Sequence, residues 1–291
     1  MADSAYPDFV ATYWLHAGKV VPLGLPEEEA SPHDFRARAE AAAAAGFRGI
    51  GMMHSDLMRV RSNYSFADMK AILADCGLIH LEFEFLVGWL EDGANGTQAE
   101  RVFTELLSAA DALGARHIKV GPDMDARDWP LEHMLERFTS LCARAAEVGT
   151  GIVLEPMPWS NVATVSQAVE LVGGANCDNG GLLIDIWHMA RGGNAYTDVA
   201  SIPSGLIHHL EINDAASELV GSMFEDTVNQ RLHCGRGAFD VPAFLHAVQT
   251  QGYRGPVGIE ILSAVERERP YPDVLQDAIA CARAQYDAIT T

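Results

Sequence analysis

Gly151-Ile-Val-Leu-Glu-Pro-Met-Pro158 reads as a buried strand that finishes on a carboxylate, Glu155. A short apolar run has no reason to end on an acid unless the acid faces solvent, a cation or a metal. Pro156 and Pro158 stop the strand. The same pattern recurs at Gly181-Leu-Leu-Ile-Asp185, Leu206-Ile-His-His-Leu-Glu211 and Pro256-Val-Gly-Ile-Glu260, so four strands each carry an acid at the C-terminal end. Inward residues alternate along a strand, which places Glu155 with Val153, Asp185 with Leu183, Glu211 with His209 and Glu260 with Gly258. Four inward acids at one end of a sheet repel one another unless a cation sits among them.

Working outward, strand and helix signals alternate along the whole chain. Phe9–Leu15 reads as the first strand, and Ser31-Pro32-His33-Asp34 opens a helix with Ser31 as cap and Asp34 closing a capping box. Strands follow at 47–53, ending at His54, at 78–86 and at 115–120. Helices open at Ser65 and Thr97, and another spans about 131–148. After the Glu155 strand, Thr164 caps a helix and strand six covers 182–186. Only one short turn of helix is expected at 195–200. Strand seven, 206–212, precedes a long connection from Asn213 to Phe239, of the kind usually reserved for function or mobility. Asp240 caps a helix to Gln251, strand eight is 256–262, and the closing helix is 273–288.

Eight strands alternating with helices, in 291 residues against the usual ~250, predict a (β/α)8 TIM barrel, α/β in class, with residues 1–291 as one domain. An open doubly wound sheet is disfavoured, because no Gly-rich turn follows the first strand. In a barrel the catalytic face is where the strands end, so the four acids converge there.

Forty acids against 20 bases give a formal charge of -20, which argues against nucleic acid and anionic membranes as partners. The five scattered cysteines form no Cys-x-x-Cys pair and point to a reducing, cytoplasmic setting. Met1–Pro7 has no basic start or apolar core, and no run approaches membrane-spanning length, so a soluble, unsecreted protein is expected. Self-association into a homo-oligomer is left open.

An all-oxygen site favours one Mn²⁺ or Mg²⁺ ion, with Co²⁺ or Zn²⁺ as alternatives. Glu155, Asp185, Glu211 and Glu260 are the expected ligands. His188, just past strand six, is placed to reach a substrate hydroxyl, and Arg236 lies between glycines that let backbone approach a ligand. Trp14, His16, His54, Glu84, Lys119, Trp159 and His209 fall in or near strand ends and are candidates to line a polyol pocket. For each of these the plainer reading is packing or surface.

The motifs Leu154-Glu155-Pro156, Asp185-Ile-Trp-His188, Leu210-Glu211-Ile-Asn-Asp214, Gly235-Arg236-Gly237 with Phe239-Asp240, and Gly258-Ile-Glu260 resemble the xylose-isomerase-like sugar phosphate isomerase/epimerase superfamily over nearly the full length. The resemblance implies that Glu155, Asp185, Glu211 and Glu260 bind a divalent metal and that Glu155 and Glu260 also move protons. It further implies that His188 and Arg236 contact substrate oxygens. Ketose epimerases of the superfamily carry histidine on strand seven where this chain has Glu211, which leaves His209 as the alternative ligand. Met157 stands where related aldose isomerases have a lysine, which weakens a hydride-shift reading. The zinc endonucleases of the superfamily are echoed at His54 and Asp185-x-x-His188, but the Asp-x-His motif is missing and the charge is wrong for DNA.

The expected activity is therefore isomerisation or epimerisation of a sugar or cyclitol through an enediolate, with paired glutamates moving the proton. A dehydratase acting on a keto-inositol or dehydroshikimate-like substrate is the alternative. A non-catalytic sugar-binding barrel is a third reading.

Overall fold

The structure, a computed structural model, describes residues 6–290. Of the N-terminal stretch read above for targeting signals, residues 1–5 lie outside it. Eight parallel strands close into a barrel in sequence order: β1 (Phe9–Ala11), β2 (Gly49–Met53), β3 (His80–Leu86), β4 (His117–Val120), β5 (Gly151–Leu154), β6 (Gly180–Asp185), β7 (Ile207–Ile212) and β8 (Val257–Ile259). β1 pairs with both β2 and β8, which closes the ring. The main outer helices are Phe35–Ala45, Phe66–Asp75, Gly93–Leu113, Leu131–Glu147, Val165–Ala175, Val241–Thr250 and Tyr271–Thr290. The continuous apolar strands pack outward against them to form the main core, as both-faced burial of a parallel sheet requires.

Local chemistry accounts for the departures from the expected element bounds. Asp34, not Ser31, caps the first long helix, accepting from the Ala37 amide at 3.1 Å. The Ser31 hydroxyl instead donates to the Ala17 carbonyl, 2.8 Å, and so fastens the loop after β1. The helix expected to open at Thr97 begins one turn earlier, at Gly93. β6 passes directly into a short helix, Ile186–Arg191, because Asp185 serves as its N-cap. The expected turn at 195–200 is a 3-10 helix, Tyr196–Ser201. The long connection after β7 holds a helix, Met223–Asn229, opened by a Ser222/Glu225 capping box. Two isolated bridges, Asp214 with Leu232 and Gln230 with Ser263, then draw residues 230–232 across the mouth of the barrel.

A second, smaller apolar cluster lies at that mouth and includes Tyr13, Trp14, Met53, Val228 and Leu262, with half-buried Phe85 against it. Its members come from the loops and strand ends of both halves of the chain.

Candidate metal centre and active site

Strand geometry delivers the four acids to one point. Glu155 follows the last residue of β5, Asp185 ends β6, Glu211 is in β7 and Glu260 is the first residue after β8. Asp185 pairs in register with Glu211, and Glu211 with Gly258, two residues before Glu260. One carboxylate oxygen from each of the four lies within 4.8 Å of the other three. All are buried, from 0% exposed at Glu211 to 6% at Glu260.

The surrounding groups hold this arrangement only in part. Asp185 Oδ1 accepts from the amides of Trp187 and His188 at 2.7 and 3.1 Å, while Oδ2 accepts from Asn213 Nδ2 at 2.8 Å and Arg231 Nη1 at 3.2 Å. The same Arg231 nitrogen donates to Glu260 Oε2 at 2.7 Å. Glu211 Oε1 receives Lys119 Nζ from below, and His188 Nε2 stands 3.2 Å from Glu155 Oε1. Glu155 Oε1 and Glu211 Oε2 are buried without a hydrogen bond.

A shortage of positive charge shows in the protonation equilibria. Burial, then the neighbouring Glu211 charge, pushes Glu155 up to about 8. Burial and Glu211 likewise raise Glu260 well above the usual carboxylate range, and burial raises Asp185. Glu211 goes the other way: burial would lift it, but Lys119 and His209 outweigh that and hold it down at about 2. Orphaned carboxylate oxygens among protonation-prone acids are what a hard divalent cation satisfies, so the residues fit Mg²⁺ or Mn²⁺ by donor type.

The sequence model of the xylose isomerase-like TIM barrel family matches residues 39–285. The chain belongs to that family. A 3-dehydroshikimate dehydratase of Pseudomonas aeruginosa is 31% identical over 251 residues, 80% of this chain and 37% of that protein. The chain therefore spans little more than a third of the dehydratase it matches. An inosose isomerase of Bacillus subtilis is 25% identical over 187 residues, 62% of this chain and 65% of the relative. The solved IolI protein with a bound zinc atom superposes with a TM-score of 0.83 at 20% identity, covering 97% of this chain and 99% of that one, a likeness of fold.

Within this xylose isomerase-like barrel the other candidate residues separate by position. His188 stands beside the acids, and Trp159 is half-buried with its ring 5.5 Å from that imidazole. Burial drives His188 down to about 3, so its imidazole is neutral at physiological pH. Trp14 belongs to the apolar cluster at the mouth. Lys119 and His209 lie inside the barrel, 1% and 0% exposed, under the acids rather than facing a pocket, and Glu84 stands 3.6 Å from Lys119 in the same interior. His54 turns to Glu105 on the outer helix Gly93–Leu113, 2.6 Å away, and His16 is buried 3.3 Å from Arg38.

Arg236 is exposed, and the guanidinium among the acids is that of Arg231, 2% exposed. The glycines around Arg236 serve Asp214 instead. Its carboxylate accepts from the amides of Gly235, Gly237 and Phe239, each at 2.9 Å. A Cβ on Gly237 would meet the Ala215 carbonyl oxygen at 2.2 Å, so only glycine lets the loop close on this anchor. Asp214→Ala should cost about 1–3 kcal/mol for the amides it orphans and expose the 233–239 loop to protease. Limited trypsin digestion checks this at Arg236, where cleavage no faster than in the parent chain would contradict the anchoring role.

Asn213 and Arg231 were not singled out from the sequence. Asn213 lies two residues after Glu211, directly past the end of β7, which is a usable signal. Arg231 sits in a connection with no periodic pattern, and only the two bridges that pin residues 230–232 bring it over Asp185 and Glu260.

Proposed function

We propose that the protein is a divalent-metal-dependent enzyme that enolises a small keto-polyol, a sugar or cyclitol, and releases it as an isomer or epimer. The observation that carries this reading is the convergence of four buried carboxylates with two oxygens left unbonded at the C-terminal mouth of the barrel. Glu155, Asp185, Glu211 and Glu260 would hold the ion. When bound, such an ion polarises the ketone and stabilises the negative charge that develops on its oxygen, a contribution of several kcal/mol.

The chain's own residues do the rest. Glu155, reaching in from the end of β5, takes the proton from the carbon beside the ketone. Glu260, from β8, returns one to the opposite face of that carbon, giving the epimer, or to the former carbonyl carbon, giving the isomer. Arg231 and His188 hold substrate oxygens, Trp159 and Trp14 present apolar walls, and residues 230–232 shield the carbanion from water.

A second reading is favoured by the 31% identity to the 3-dehydroshikimate dehydratase. Here the same first proton transfer is followed by departure of the hydroxyl one carbon further on, as water, leaving a conjugated enone. Incubation with keto-inositols, ketohexoses and dehydroshikimate in D₂O with Mn²⁺ separates the two. Deuterium entry without loss of water supports isomerisation or epimerisation, and loss of water supports the lyase, seen as a new enone absorbance with a keto-inositol and as an aromatic product with dehydroshikimate. Absence of both exchange and loss of water with every one of them would overturn the two readings.

A further inference from the structure

Beneath the four acids the barrel interior is polar where most barrels are filled with branched apolar side chains. His209 lies two residues before Glu211 on the same face of β7, one side-chain layer down, and Glu82 of β3 pairs in register with His117 of β4. We propose that Glu82, His117 and His209 form a second divalent-metal site, structural in role and suited to zinc. This proposal does not depend on the reaction assigned above.

Three observations carry it. One donor atom from each of the three residues lies within 4.8 Å of the others, and the Nε2 atoms of His209 and His117 stand 3.0 and 3.4 Å from Glu82 Oε2. Next, these residues are at most 2% exposed, yet both nitrogens of His209 and Nε2 of His117 lack a well-directed hydrogen bond, while Glu82 Oε1 is paired with Lys119 Nζ at 2.8 Å. A buried polar group left unsatisfied is destabilising, so several converging on one point call for a common partner. Space for these groups is kept by Gly258 of β8, where a Cβ would meet His209 Nε2 at 3.0 Å.

Charge completes the argument. Two permanent cations serve this interior: Lys119 stands 2.8 Å from Glu82, 3.6 Å from Glu84 and in contact with Glu211, and Arg231 lies over Asp185 and Glu260, with Glu155 beside them in the upper cluster. Fully ionised, six carboxylates against two cations leave four negative charges, more than one divalent ion balances. Two imidazoles and one carboxylate select a borderline ion such as Zn²⁺, whereas the four-carboxylate set above selects a harder one. Burial on all sides means this zinc enters as the chain folds and exchanges slowly.

The test is metal retention. Native protein stripped with EDTA at neutral pH should keep about one zinc per chain by mass spectrometry of the metal and release it only on unfolding. Asp185→Asn should keep the same zinc, whereas the double variant His117→Gln, His209→Gln should hold none. Crystals grown after EDTA treatment should show an anomalous peak at the zinc edge among Glu82, His117 and His209. Less than about a tenth of an ion per chain in the stripped parent protein, or a peak confined to the upper acids, would overturn the proposal even if the double variant failed to fold. The rival state, in which a proton on His209 partly balances Glu82, predicts that metal-free outcome.

Discussion

Glu155→Gln should lower deuterium exchange into a keto-polyol by about 10²–10⁴-fold, the usual span for loss of a positioned acid-base group. In chelator-treated protein the same substitution should leave the melting temperature unchanged or raised. Gln is nearly isosteric, and burial pushes the Glu155 carboxyl up to about 8, so the fold does not depend on its negative charge. Metal content must be measured alongside, because the variant also removes a proposed ligand. Exchange at the parent rate with metal bound would eliminate Glu155 as the proton acceptor.

Arg231→Met should destabilise the chelator-treated protein by about 3–5 kcal/mol, because it strands Asp185 and Glu260 as buried acids without their shared cation. Saturating Mn²⁺ should recover much of that loss, since an ion bound by the folded state alone adds its binding energy to stability. Urea unfolding with EDTA and with Mn²⁺ makes the comparison. An equal loss in both conditions would mean that Arg231 and the ion do not answer the same charges. Arg236→Met, at an exposed position, should change neither curve by more than about 0.5 kcal/mol.

These two expectations rest on different kinds of information. The acid at the end of β5 could be recognised in one dimension, because a carboxylate closing a continuous apolar run breaks its pattern and side-chain direction alternates along a strand. The same reasoning found Asp185, Glu211 and Glu260. The arginine could not be found that way. Arg236 had the more suggestive neighbourhood, two glycines and a following Phe-Asp, yet those glycines are needed for the amide clamp on Asp214. The helix Met223–Asn229 was legible in principle, since Ser222 and Glu225 spell a capping box inside what was read as a bare connection.

Lys119 and His209 show the same limit from inside the barrel. Both sit on inward faces, which parity gave for His209, but parity does not say how deep. The register of β7 against β6 puts His209 level with Leu183, and Glu211 level with Asp185 at the rim. Depth follows from the stagger of the closed ring, which no single strand carries.

The amino-acid sequence by itself determined the alternation of strands and helices, the inward parity of the four acids and the expectation of a barrel, because each is a periodic property of local backbone geometry. Only the tertiary structure decided that Arg231 covers the acids, that Lys119 and His209 lie beneath them, and that Glu82 and His117 share a buried layer with His209. Those placements arise from barrel closure and from loop segments pinned across its mouth, where residues distant along the chain meet without any repeating signal to announce it.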